Sequence, residues 1–189
     1  MSLSLDDIVG LFESKGHAQY DGEPVTQLAH ALQSAHLAEQ VVADSALIAA
    51  SLLHDLGHLL HDFGGTPTQQ GLDDLHQYRC LPFLRALFGP ATLEPIRLHV
   101  DAKRFLCARV PGYLEALSPD SKRSLQLQGG VFDEAQAKAF EALPYAMDAV
   151  RLRQWDDTAK LADADMPDLA HFVRHLEISA AEHRQALSV

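Results

Sequence analysis

The stretch Ala46-Leu47-Ile48-Ala49-Ala50-Ser51-Leu52-Leu53-His54-Asp55-Leu56-Gly57-His58-Leu59-Leu60 sets the reading of the whole chain. Ahead of His54 it is apolar around nearly its whole circumference, the mark of a helix buried on most sides. Into those surroundings it places His54, Asp55 and His58. A spacing of four puts the two histidines on one side of a helix, one turn apart, with Asp55 adjoining. Isolating a carboxylate there is costly unless a cation or strong donors compensate it. A divalent metal does this well, because neutral imidazole and carboxylate are its common ligands. Taken alone, an arbitrary His-Asp dipeptide is more often a buried pair satisfied by hydrogen bonds.

Outward from this segment, apolar periodicity predicts helices throughout, and no stretch alternates long enough to build a sheet. The expected helices cover residues 5–14, 24–42, 46–60, 68–87, 91–107, 119–127, 133–143, 144–160 and 168–187. Pro24 suits a first helical turn, and Asp44 or Ser45 can cap the apolar helix. Breaks are expected at Phe63-Gly64-Gly65-Thr66-Pro67, Gly89-Pro90 and Pro111-Gly112. No repeat or linker divides the chain, so residues 1–189 read as a single all-α domain.

Composition closes off other classes. With 15 Lys and Arg against 26 Asp and Glu, the formal charge is −11, a poor field for nucleic acid or an anionic membrane. At 47% apolar and 22% charged, the 189 residues can bury a real core. No run reaches the roughly 18 apolar residues that a membrane span needs. The start of the chain lacks the pattern of a secretory signal. Two cysteines, Cys80 and Cys107, fit a reducing cytoplasm, with both as small buried apolar groups.

Eleven histidines stand out. His30 lies mid-helix among small apolar residues, His76 follows a Gly-rich turn, and His99 sits in Ile96-Arg97-Leu98-His99-Val100. Asp156 lies in Arg151-Leu152-Arg153-Gln154-Trp155-Asp156-Asp157. Singly, each has an ordinary reading as a core or surface residue, and Arg153 with Asp157 reads as a plain i,i+4 ion pair. Jointly they read as one site. His17, His36, His61, His171, His175 and His183 receive no role, nor do the cysteines.

The order His30, His54-Asp55, His76, His99, Asp156 resembles the HD-domain superfamily of all-helical metalloproteins. The resemblance implies a two-metal site bridged by Asp55. His30, His54 and Asp156 would complete one metal's set, and His76 with His99 the other's. A closer resemblance, over nearly the whole chain, is to the PhnZ-type diiron oxygenases, which cleave the carbon–phosphorus bond of hydroxylated aminophosphonates. It is carried by Tyr20-Asp21-Gly22-Glu23-Pro24-Val25-Thr26-Gln27-Leu28-Ala29-His30, Leu53-His54-Asp55-Leu56-Gly57-His58, His99-Val100-Asp101-Ala102-Lys103-Arg104, the segment from Leu117 to Gly130, and Arg151 to Asp156. It implies a mixed-valent Fe(II)/Fe(III) pair, dioxygen as co-substrate, and phosphonate binding by His58, Lys103, Ser121, Ser124 and Arg153. Tyr20 would occupy a metal position until substrate arrives, and Glu23 would meet the amino end. The products would be phosphate and glycine, or betaine from a trimethylammonium substrate; one glutamate does not choose between them.

The residues make sense beside the resemblance. His99 and Lys103 are one turn apart, and Arg153 and Asp156 repeat the arrangement, so basic groups accompany metal ligands toward a small dianion. Ligand type alone does not separate an oxygenase from a metal-dependent phosphohydrolase acting on a nucleotide or phosphomonoester. A binding module without turnover would lack a ligand, and none is missing. Oligomeric state is not legible.

Overall fold

A computed structural model describes residues 2–20, 23–61 and 67–188. Its elements are α1 (Leu5–Lys15), α2 (Gln27–Gln40), α3 (Ser45–Leu53), α4 (Leu56–Leu59), a 3₁₀ turn (Pro67–Gln70), α5 (His76–Arg79), α6 (Leu81–Leu84), α7 (Pro90–Arg109), α8 (Tyr113–Ala116), α9 (Pro119–Leu127), α10 (Glu134–Glu141), α11 (Ala146–Thr158) and α12 (Leu169–Leu187). The all-α expectation holds: among the described residues the only β contact is an isolated bridge between Gln19 and Thr26. No described helix is long and apolar enough to cross a membrane.

The apolar stretch behaves as its composition demands. Every residue from Ala46 to Leu53 is buried, and α3 lies against α2, α7, α11 and α12. Asp44 caps it by accepting from the Leu47 amide at 2.8 Å. Around α3 the core gathers Phe12, Leu52, Leu53, Leu84, Phe88, Leu152, Phe172 and Leu176. A second cluster, with Leu98, Phe105, Leu106 and Phe140, joins α7 to α10 and α11. His171, Arg174 and His175 of α12 converge on Glu39 of α2, holding the last helix to the bundle. Cys80 is buried, as expected, while Cys107 is only partly so.

Four expected helices are corrected. The helix expected over 46–60 stops at Leu53, and His54 and Asp55 form a turn before α4. Asp55 has φ −102° and ψ 9°, outside the helical basin. The turn releases its carboxylate from the helix wall. The helix expected over 68–87 is divided into the 3₁₀ turn, α5 and α6. Pro82 lacks the amide that would continue the ladder to Tyr78, and Gly71 and Leu75 take left-handed conformations. At residue 24 the helix has not begun. Tyr20 N–H donates to Val25 O at 2.9 Å, so Pro24 belongs to the preceding turn and Thr26 caps α2. At residue 144 the start is delayed to Ala146 because Tyr145 is left-handed, with φ 62°. The break expected at 63–67 lies largely outside the described residues.

Candidate metal centre

Four imidazoles meet in the middle of the bundle, and each is fixed from behind. Nδ1 of His30 hydrogen-bonds Ala159 O at 2.9 Å, that of His54 Ser51 O at 2.8 Å, and that of His99 Ile96 O at 2.7 Å. Nδ1 of His76 is 2.9 Å from Asp74 Oδ1. All four outer partners accept, so each Nδ1 donates and the neutral ring keeps its lone pair at Nε2. The Nε2 atoms then face each other in pairs, His30 to His54 at 3.2 Å and His76 to His99 at 3.0 Å. Lone pairs brought this close repel unless a proton or a cation lies among them.

Asp55 sits between the pairs. Its Oδ2 is 3.6 Å from His30 Nε2 and 3.3 Å from His54 Nε2, while its Oδ1 is 3.4 Å from His76 Nε2 and 3.7 Å from His99 Nε2. Asp156 Oδ1 adds to the first group, 3.4 Å from His30 Nε2. Asp55 Oδ2 and Asp156 Oδ1 are buried without a hydrogen-bond partner, a state that calls for a cation. His30, His54 and Asp156 form one group able to hold a metal ion, and Asp55, His76 and His99 a second. The donors are nitrogen and oxygen with no thiolate, a set that suits iron, manganese or similar ions.

Electrostatics agree with ionised aspartates and a neutral His99. Burial would raise both carboxyls, but His54 and His58 hold Asp55 well below the usual range, and Arg153 does the same for Asp156. Burial, reinforced by His76 and His54, keeps His99 from taking a second proton.

Asp74 is the ligand-supporting residue that the sequence reading missed. Besides His76 it takes His58 Nδ1 at 2.7 Å, and His58 stacks on His76 with ring centroids 4.2 Å apart. Its only signal in the sequence is a carboxylate two residues before a candidate ligand. Asp74→Asn is expected to lower affinity for the ion on the His76 side by about 10- to 100-fold, read by metal titration, with the His30 side less affected. Gly57 offers a second handle. A Cβ there would come within 2.1 Å of His76 O, backbone that cannot step aside. Gly57→Ala is expected to cost about 1–3 kcal/mol in thermal unfolding and to dislodge His76 before His30.

A cleft of about 60 Å³ opens beside this centre, with Tyr20, His58, Lys103, Ser121, Ser124 and Arg153 on its walls. Lys103, one turn after His99 on α7, donates to Ser124 Oγ at 2.7 Å. Arg153 reaches Asp156 Oδ2 at 2.7 Å and Ser121 Oγ at 3.5 Å, and also bonds Asp157. The i,i+4 pair read from sequence is present, and Tyr113 hydroxyl, bonded to Asp157, braces it. Burial, together with Arg153, pushes the Lys103 ammonium down to about 7. Tyr20 stacks on His30 at 4.1 Å, and burial with Asp55 and Asp156 nearby raises its phenol well above the usual range. Glu23 stands apart from the cleft wall: its carboxylate pairs with Lys160 at 3.0 Å.

Two histidine pairs with an aspartate between them, inside an all-helical bundle, form a donor set able to hold metal ions, as in the HD-type metalloproteins that the sequence resembles. No family model matches the chain, but individual relatives do. It is 43% identical over 174 residues to the hydroxymethylphosphonate dioxygenase of Gimesia maris, covering 92% of this chain and 86% of that one. It is 36% identical over 179 residues to the [1-hydroxy-2-(trimethylamino)ethyl]phosphonate dioxygenase (glycine-betaine-forming) of Leisingera caerulea, covering 95% and 91%. An uncharacterized protein of Acanthamoeba polyphaga mimivirus is 30% identical over 171 residues, covering 89% and 78%. The chain belongs to the PhnZ-type family of phosphonate dioxygenases.

Proposed function

We propose that this protein uses dioxygen to cleave the carbon–phosphorus bond of a 1-hydroxylated phosphonate. One substrate and one dioxygen give a carboxylic acid and phosphate, a four-electron oxidation at C1 that balances without a further reductant. The observation that supports it best is the placement of Lys103 and Arg153 beside two histidine pairs that share Asp55. An iron pair, Fe(II) and Fe(III), held by His30, His54, Asp55, Asp156, His76 and His99, would supply dioxygen activation and Lewis acidity toward the substrate's oxygens.

The side chains of the cleft supply binding and orientation. Lys103 and Arg153 take the phosphonate dianion, and the Ser121 and Ser124 hydroxyls complete its hydrogen bonds. His58, tied by Nδ1 to Asp74, presents Nε2 to the same group. Tyr20, stacked on His30, covers the His30 side of the centre and has to swing away for substrate to reach it. That motion couples opening of the site to the presence of substrate. The relatives named above act on substrates with and without an amine, which leaves the group beyond C1 as the variable part.

The test is phosphate release by iron-loaded protein from 1-hydroxyphosphonates, with and without dioxygen. Release that needs dioxygen and consumes it one-to-one supports the proposal. Release without dioxygen, or only from phosphate esters, would make the protein a phosphohydrolase and defeat it.

A further inference from the structure

The buried carboxylates around the cleft each have a task. Asp55 and Asp156 face the histidines of the candidate metal centre, Asp74 holds His58 and His76, and Asp157 holds Arg153. Glu23 is the one that lies behind Tyr20. Its partner Lys160 is only 15% exposed and Glu23 itself 13%, so the pair at 3.0 Å is largely withdrawn from water. The Lys160 ammonium also lies 5.9 Å from the centroid of the Tyr20 ring.

Lys160 is held there by the chain around it. It is the second residue past α11, next to Ala159, whose carbonyl fixes His30. Glu23 is fixed from its own side, where its amide donates to Tyr20 O at 2.9 Å. Freeing Glu23 for another cation would leave Lys160 buried without a counter-charge, and breaking such a pair is strongly unfavourable. An ammonium carried in by substrate would therefore meet Lys103 and Arg153 and, among the described residues, find Glu23 behind Tyr20 already taken. Asp73, half-buried on the cleft wall, accepts from the Leu75 amide at 3.2 Å, and Asp120 on the same wall is held by Arg123 and Thr68.

We infer that Lys160 is a specificity-determining residue: by occupying Glu23 it selects a 1-hydroxyphosphonate that carries no cationic group beyond C1. Hydroxymethylphosphonate is the smallest member of that class. The inference rests on the proposed dioxygenase reading and adds to it the chemical class of the substrate's far end. Lys160 acts through Glu23, so its effect falls on the choice between substrates and not on the carbon–phosphorus cleavage they share.

Iron-loaded protein is given hydroxymethylphosphonate, 2-amino-1-hydroxyethylphosphonate and the trimethylammonium analogue in air, and kcat/KM is taken from phosphate release. Wild type is expected to prefer hydroxymethylphosphonate by about tenfold or more. Lys160→Met should shift the ratio toward the amino substrate by about tenfold, and adding Glu23→Gln should remove that shift. A purely structural role for Lys160 would lower all three rates together and leave their ratio unchanged, which would overturn the inference. So would a wild-type preference for either cationic substrate, a readout that needs no variant to fold. Turnover of none of the three would instead defeat the dioxygenase reading itself, and this inference with it.

Discussion

Asp55→Ala is expected to abolish binding of both metal ions and to reduce turnover by more than about a thousandfold. The reason is the position of its two oxygens. Oδ2 faces His30 and His54, and Oδ1 faces His76 and His99, each at 3.3–3.7 Å. Alanine leaves the two histidine pairs in place but removes the carboxylate that faces both of them, along with the negative charge that would offset two cations in a buried site. Asparagine is the sharper control. It fills the same space and keeps one neutral acceptor, so a loss of metals in Asp55→Asn would come from charge and not from a cavity. His99→Ala should differ in kind, losing the ion on the His76 side while the group of His30, His54 and Asp156 keeps its own. Metal analysis of the purified variants separates these outcomes. Two ions retained per chain in Asp55→Ala would contradict a bridging role.

What could be read in the sequence, and what could not, follows from the range of the interactions involved. The burial of α3 was legible because its apolar residues run around the whole helix and need no knowledge of a partner. The grouping of His30, His54, Asp55, His76, His99 and Asp156 was legible through residue type and family resemblance, and the geometry brings those six together. The turn at His54 and Asp55 was not. Nothing in Leu53-His54-Asp55-Leu56 opposes a continuous helix; the break goes with the packing of Gly57 against the His76 backbone, a contact between segments far apart in sequence. Lys160 was missed for the same reason, since its partner Glu23 is 137 residues away. Pro82 is the opposite case: it stood in plain view within residues 68–87 and, in the first turn of α6, marks where a new helix starts after α5 ends.

Lys103→Met is expected to raise KM for the phosphonate by roughly 10- to 150-fold while leaving both metal groups intact, the loss of a charged hydrogen bond of about 1.5–3 kcal/mol. Lys103 is 2% exposed and donates to the neutral Ser124 Oγ, so among the described residues its ammonium has no carboxylate ion-pair partner in the cleft. Burial and the neighbouring Arg153 have lowered its ammonium to about 7, and bound metal cations would lower it further. A phosphonate dianion reverses this by supplying the missing counter-charge, so binding takes up a proton whenever the resting lysine is neutral. The sign follows. Below the lysine's resting pKa the ammonium is already formed and binding gains nothing from added acid on its account. Above it, each pH unit costs about tenfold in affinity. KM in wild type should therefore climb with pH from a point at or below 7, and the climb should vanish in Lys103→Met, where no proton is taken up. Lys103→Arg tests the same idea from the other side: a guanidinium stays charged throughout the range, so its KM should be flat with pH even if the longer side chain fits the cleft less well. A wild-type KM that does not move between pH 6 and 9 would show that Lys103 keeps its proton without substrate, and that the cleft compensates the ammonium by some group other than the phosphonate.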